Sequence, residues 1–110
     1  MPTKLQANKI YEVKCVLSKQ IRTSEEYWNY ISQVKHADLA DRMQDVLEAL
    51  SNADEVWKND KAQNIFLYYK KINNYWICVV VKILNGDGFI VTAYITSKSK
   101  RKGKKIWTKK

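Results

Sequence analysis

Five consecutive apolar residues, Ile77-Cys78-Val79-Val80-Val81, sit inside the stretch Tyr75–Leu84, which has a turn signal at each end. A strand that is apolar on both faces is one covered on both faces. This stretch is therefore predicted as the centre of a sheet, and the rest of the chain has to be arranged around it. Ahead of it, Ile72-Asn73-Asn74 reads as a tight turn, because asparagine tolerates positive φ. Behind it, Asn85-Gly86-Asp87-Gly88 is a strong hairpin signal. The flanking segments Ile65–Lys71 and Phe89–Thr96 are thereby expected to be its antiparallel partners.

The first half reads differently. In residues 8–17, Tyr11, Val13, Cys15 and Leu17 alternate with Glu12 and Lys14, the period of a half-buried strand. Thr23-Ser24-Glu25-Glu26 fits a capping box with Thr23 as the cap, and Tyr27, Tyr30, Ile31 and Val34 follow at helical spacing. Asp38 is placed to cap a second helix, whose stripe of Leu39, Met43, Val46, Leu47 and Leu50 belongs on a core. Glu55-Val56-Trp57-Lys58 is a short strand, and Ile106-Trp107 a final short strand or anchor. The order β-α-α-β-β-β-β predicts an α+β fold. Two helices cover one face of a four- to five-stranded antiparallel sheet and leave the other face open. At 110 residues and 45% hydrophobic composition, the chain supports one core, so residues 1–110 are read as a single domain with a basic C-terminal segment, 97–110.

Charge is unevenly spread. Residues 1–60 hold eight Lys/Arg against ten Asp/Glu, whereas residues 61–110 hold twelve against one. An excess of this kind beside a tyrosine-rich, strand-rich segment suits a polyanion, whose neutralised phosphates release counterions. The competing explanation is a solvated tail that only aids solubility. DNA is the weaker choice of polyanion, since no helix carries a basic face. The longest apolar run is too short to cross a bilayer and Met1-Pro2-Thr3-Lys4 leads into no signal-like stretch, so a cytoplasmic protein is expected. Two cysteines and one histidine lack metal-site spacing, and neither a glycine-rich phosphate loop nor a nucleophile elbow is present. No metal or other cofactor is implied. Cys15 and Cys78 are expected to be buried thiols, with a disulfide as the alternative.

Strict alternation along Phe89–Thr96 puts Thr92, Tyr94 and Thr96 on one face with Ile90, and Phe89, Val91, Ala93 and Ile95 on the other, beneath the helices. Lys82 shares a face with Trp76, Cys78 and Val80, while Lys70 follows Phe66 and Tyr68 and Lys71 follows Ile65, Leu67 and Tyr69. Metal-free RNA cleavage needs a group to take the 2′-OH proton, another to protonate the leaving 5′ oxygen, and a cation for the charge on phosphorus. His36 is the one side chain here whose ordinary titration suits proton transfer near neutrality. Lys82 could stabilise charge, and Tyr94 and Thr96 could position a phosphate. Each residue also has an ordinary structural role: a hinge histidine, a strand-end lysine, strand-forming threonines and core aromatics.

The chain resembles small prokaryotic and phage-related domains of the barnase–EndoU–colicin–RelE-like nuclease superfamily. The likeness runs from Ile21 to Trp107. It rests on Thr23-Ser-Glu-Glu-Tyr-Trp28, Lys35-His36-Ala37-Asp38, Asn52-Ala-Asp-Glu-Val56 and Leu67-Tyr-Tyr-Lys70, followed by Val79-Val-Val-Lys82, Asn85-Gly-Asp-Gly-Phe89, Thr92-Ala-Tyr-Ile-Thr96 and Gly103-Lys-Lys-Ile-Trp107. The resemblance implies helices packed on an antiparallel sheet and metal-independent RNA cleavage, often by toxins of toxin–antitoxin or phage-conflict systems. It matches His36 to a histidine after the first helix, Lys82 to a basic residue ending the central strand, and Thr92, Tyr94 and Thr96 to hydroxyl residues on the next strand. The sequence departs from that pattern at Tyr30, where relatives commonly carry a second histidine, and at Ala37-Asp38, where they usually read Pro-Glu. On this view the catalytic residues are His36, Lys82, Tyr94 and Thr96. Thr92, Tyr69, Lys70, Lys98, Lys100, Arg101 and Lys102 bind substrate, with Lys104 and Lys105 extending the basic run. The partners are RNA, such as tRNA or mRNA, and an acidic antitoxin or immunity protein, with no membrane. The alternative is a catalytically inactive RNA- or protein-binding module on the same fold.

Overall fold

A computed structural model of the protein describes residues 9–97, 101 and 103–110. The elements run β1 Ile10–Lys14, β2 Gln20–Ser24, α1 Glu25–Tyr30, α2 Met43–Ser51, β3 Glu55–Lys58, β4 Ile65–Ile72, β5 Tyr75–Leu84, β6 Asp87–Thr96 and β7 Lys104–Thr108. The fold is α+β, with two α-helices beside one seven-stranded sheet in the order β1-β2-β6-β5-β4-β3-β7. That sheet is larger than the predicted four or five strands, and it is mixed: β2 runs parallel to β6 while every other pairing is antiparallel.

The strands beyond that count are β7, foreseen only as a short strand or anchor at Ile106-Trp107, and β2, which was not foreseen. Ile21 and Thr23 are buried and Arg22 is exposed, an alternation too brief to register as a period. Cys15 N–H bonds to the Lys19 carbonyl at 2.9 Å, which turns the chain there and cuts the first strand short of the predicted residue 17. Thr23 is therefore a strand residue, and Ser24 is the cap. Its backbone is extended and its hydroxyl accepts from Tyr27 N–H at 3.0 Å.

The helices also shift from expectation. α1 passes into a π-helical turn, Ile31–Lys35, and the buried line becomes Trp28, Ile31 and Ser32, leaving Tyr27, Tyr30 and Val34 exposed. Leu39 is fully buried from a separate 3₁₀ turn, Ala37–Leu39. Asp38 does not cap α2, because Asp41 at φ 67° reverses the chain before the helix begins. α2 lays Val46, Ala49 and Leu50 onto the sheet, against a core that includes Ile77, Val79, Val81, Tyr68 and Val56.

The centre of the sheet matches the sequence reading closely. Asn73, at φ 55°, turns β4 into β5, and Asn85 and Gly86, at φ 53° and 94°, join Leu84 to Asp87 as a two-residue hairpin. The register then slips by one in β6: Val80 faces Thr92, but Val81 faces Ile90. This bulge at Val91 overturns strict alternation. Ile90 turns into the core at 1% exposure, and Phe89 turns out to the open face at 45%. At the far edge, Gly103 approaches β3 so closely that a Cβ there would collide with the Lys58 carbonyl, and its φ of +97° independently favours glycine. Among the described residues no helix is long and apolar enough to cross a membrane.

Candidate active site on the open sheet face

Cross-strand pairing sorts the open face into rows, since residues directly opposite one another share a face. One row reads Lys71, Trp76, Thr96, the next Tyr69, Cys78, Tyr94, then Leu67, Val80, Thr92, and last Ile65, Lys82, Phe89. β3 adds Glu55 beside Tyr69 and Trp57 beside Leu67.

The second row is where polar groups converge. The Cys78 thiol, 0% exposed, interacts by hydrogen bonding with the hydroxyls of both Tyr69 and Tyr94. Burial pushes the thiol up to about 11, although both phenols and the Arg101 charge pull it the other way. Burial likewise pushes Tyr94 up to about 12, with Cys78 adding to the rise and Tyr69 and Arg101 opposing it. Tyr69 is raised further, again chiefly by burial. All three therefore hold their protons at neutral pH and act there as neutral hydrogen-bonding groups.

Arg101 covers this row. Its side chain is 4% exposed, its guanidinium lies 3.9 Å from the centre of the Tyr69 ring and 4.5 Å from that of Trp76, and Nε is 3.5 Å from Glu55 Oε1. Glu55 Oε1 also accepts from Trp57 Nε1–H at 2.9 Å. The chain leaves β6 at Thr96, opposite Trp76, and re-enters the sheet at Lys104, opposite Lys58, on the edge beyond β5, β4 and β3. Arg101 lies between these points, on the face that the helices leave uncovered.

His36 arrives from the helical side. β2 pairs with β6 only at Asp87–Phe89, and α1 lies beside the next part of that strand, with Tyr27 Oη donating to the Val91 carbonyl at 2.6 Å. After the π-turn, which closes on His36 N–H bonding the Ile31 carbonyl at 2.8 Å, the imidazole stands 6.1 Å from the Tyr94 ring, centre to centre. One half-buried imidazole thus sits at the margin of a buried thiol–phenol–guanidinium cluster.

Of the residues singled out in the sequence, the fold gathers His36, Tyr94, Tyr69 and Arg101. Thr96 is one row further on the same face. Thr92 is one row the other way, its hydroxyl buried and without a hydrogen-bond partner among the described residues. Lys82 does not join them: it stands four residues along β5 from Cys78, roughly 13 Å at the strand rise. Lys70 is on the helix-covered face, paired across the sheet with Ile77, and its ammonium group reaches the Asn52 carbonyl at 3.3 Å. Lys98, Lys100 and Lys102 lie outside the described residues. Lys104 and Lys105 belong to β7, and Lys105 sits 5.8 Å from the centre of the Trp57 ring.

The sequence reading passed over Cys78, Glu55 and Trp76 as site residues. The first of these was findable, because counting outward from the Asn73-Asn74 turn pairs Tyr69 with Cys78. Both cysteines are free, buried thiols. Among the described residues no three His, Cys, Asp or Glu side chains gather as a metal site would require. No family model matches the chain, and no curated protein or solved structure matches it.

Proposed function

We propose that the protein is a metal-independent endoribonuclease acting as a toxin of a toxin–antitoxin or phage-conflict system. It cleaves RNA by attack of the 2′-OH, leaving a 2′,3′-cyclic phosphate and a 5′-hydroxyl. The observation that carries this reading is the His36 imidazole beside the Tyr94 phenol, with the Arg101 guanidinium close behind. The resemblance to the barnase–EndoU–colicin–RelE-like superfamily supports it, as does the net charge of +9. His36 takes the 2′-OH proton as the oxygen attacks phosphorus. Tyr94, still protonated, donates to a non-bridging phosphate oxygen as charge builds there, and Arg101 makes it a better donor. The P–O5′ bond breaks, and the leaving oxygen takes its proton from solvent. Thr96 lines the same phosphate position. Lys82, roughly 13 Å along β5 from the Tyr94 row, contacts flanking RNA instead of the reacting phosphate. An acidic antitoxin would cover the basic face.

The test is incubation of the purified protein with total RNA and with tRNA in EDTA, followed by analysis of fragment ends. Discrete fragments with cyclic-phosphate ends are expected. His36→Ala should lower the rate by about 10²-fold or more and Tyr94→Phe by roughly 10- to 100-fold, with an unchanged thermal midpoint in His36→Ala as the folding control. Full activity in His36→Ala would sink the mechanism. The second reading, a non-catalytic RNA- or protein-binding module, is favoured by the burial of Tyr69 and Arg101. It predicts salt-sensitive RNA binding with no scission.

A further inference from the structure

The bulge at Val91 leaves a phenylalanine where its own chemistry would not put it. Phe89 is 45% exposed on the open face, in the row that also holds Lys82. On its other side the parallel strand β2 sets Arg22 directly alongside. The three strands thus present Arg22, Phe89 and Lys82 in line, a cation on each side of an exposed aromatic ring. Lys82 has no carboxylate partner among the described residues. Arg22 reaches Glu12 and Asp87 only at 4.0 and 3.8 Å, with exposed side chains on both, and such contacts yield readily to a phosphate. Beside Phe89 a groove of about 430 Å³ opens, walled by Ile10, Tyr27 and Ile90 and edged by Thr23 and Ser24.

We propose that Phe89, flanked by Lys82 and Arg22, is a base-stacking subsite for single-stranded RNA. The site rests on the reading of this face as an RNA-binding face. Any base can stack on an aromatic ring, and the phosphates on either side of a stacked base need cations within side-chain reach. Cross-strand neighbours of an aromatic supply that spacing. The row lies four strand residues from the Tyr69–Cys78–Tyr94 row, roughly 13 Å away, so a strand laid across the sheet has its scissile phosphate at Tyr94 and a flanking base on Phe89. An apolar protein segment could also cover the groove. The paired cations favour the polyanion, and the experiment separates the two.

The measurement is fluorescence anisotropy with a labelled single-stranded RNA, 2′-O-methylated so that it cannot be cut, across a range of salt. Phe89→Ala and Phe89→Leu should each weaken binding by roughly 5- to 100-fold, while Phe89→Tyr keeps it. Lys82→Gln should flatten the log–log salt dependence by about 0.7. Wild-type affinity in Phe89→Leu would overturn the stacking site, because leucine preserves an apolar surface and removes the π face. An unchanged salt slope in Lys82→Gln would overturn the phosphate contact. The proposal and the ribonuclease reading fail separately. Phe89-dependent binding without any cleavage by the wild type leaves the subsite standing and the nuclease fallen. Cleavage lost in His36→Ala, with Phe89 variants binding like wild type, does the reverse. Absence of wild-type RNA binding overturns both.

Discussion

Tyr68 and Tyr69 are consecutive in β4, point to opposite faces of the sheet, and each meets a buried cysteine. On the helix-covered face, Tyr68 is 0% exposed and its hydroxyl lies 3.0 Å from Cys15 Sγ, among Val79, Val56 and the residues of α2. On the open face, Tyr69 is 4% exposed against Cys78, yet its surroundings are Arg101, Glu55, Trp76 and Tyr94. Burial raises both phenols well above the usual tyrosine range. What differs is how each is buried. The first pair is packed among the apolar side chains of the core, whereas against the second lies an arginine whose charge opposes the shifts of Cys78 and Tyr94. Equal burial thus hides a core on one side and a polar, coupled site on the other.

The largest expected effect tests whether that difference is energetic. Tyr68→Ala empties a site that packed helices cannot easily refill, and should cost about 3–5 kcal/mol. Tyr69→Ala opens a space that solvent and the neighbouring polar side chains can enter, and should cost about 1–3 kcal/mol. Urea midpoints for the two variants give the comparison directly. Equal losses would mean that the open face is as much a core as the other.

Arg101 is the next point to press. Arg101→Ala removes the stack on Tyr69 and Trp76 and takes away the ion pair of Glu55, a loss of about 2–3 kcal/mol. Arg101→Lys should recover less than half of it, because an ammonium group cannot lie flat on two rings. Maleimide labelling with peptide mapping sharpens the contrast. Cys78 should label faster in Arg101→Ala, while Cys15 stays protected under α2. A Cys78 rate that does not move would show that its cover is not Arg101.

The sequence made some of this arrangement readable, and the reason lies in the turns. Two-residue turns fix register, so Asn73-Asn74 set Tyr69 against Cys78 and Asn85-Gly86 set Lys82 against Phe89. One inserted residue, Val91, then changed which of Phe89 and Ile90 is buried, and a bulge of this kind leaves no periodic trace. β2 escaped notice because three alternating residues followed by a serine read equally well as a helix start. The parallel β2–β6 pairing depends on contacts between distant segments and has no local signature. His36 was identifiable by chemistry, since it is the only histidine, but its place beside Tyr94 depends on the π-turn and on the stretch of β6 that β2 leaves unpaired. Lys82 had the right residue type and the right face, and only the register showed it to be four residues from the cluster.

The smallest effect concerns alkaline stability. An unperturbed thiol loses its proton near 9.0, while folded Cys78 holds its proton to about 11; Tyr94 moves in the same sense, from 10.0 to about 12. Between those limits the folded state binds more protons than the unfolded one, so stability is fully present below pH 9 and falls as pH rises through 11. Cys78→Ala removes one of these groups and should make the decline between pH 9 and 11 shallower by about 1–2 kcal/mol, read from urea midpoints at pH 8 and pH 11. Tyr68 on the opposite face is raised too, so some decline should persist in the variant. A decline left untouched by Cys78→Ala would place the alkaline sensitivity in the raised phenols, Tyr68, Tyr69 and Tyr94. The thiol between the two phenols would then be no more strained by ionisation than an ordinary one.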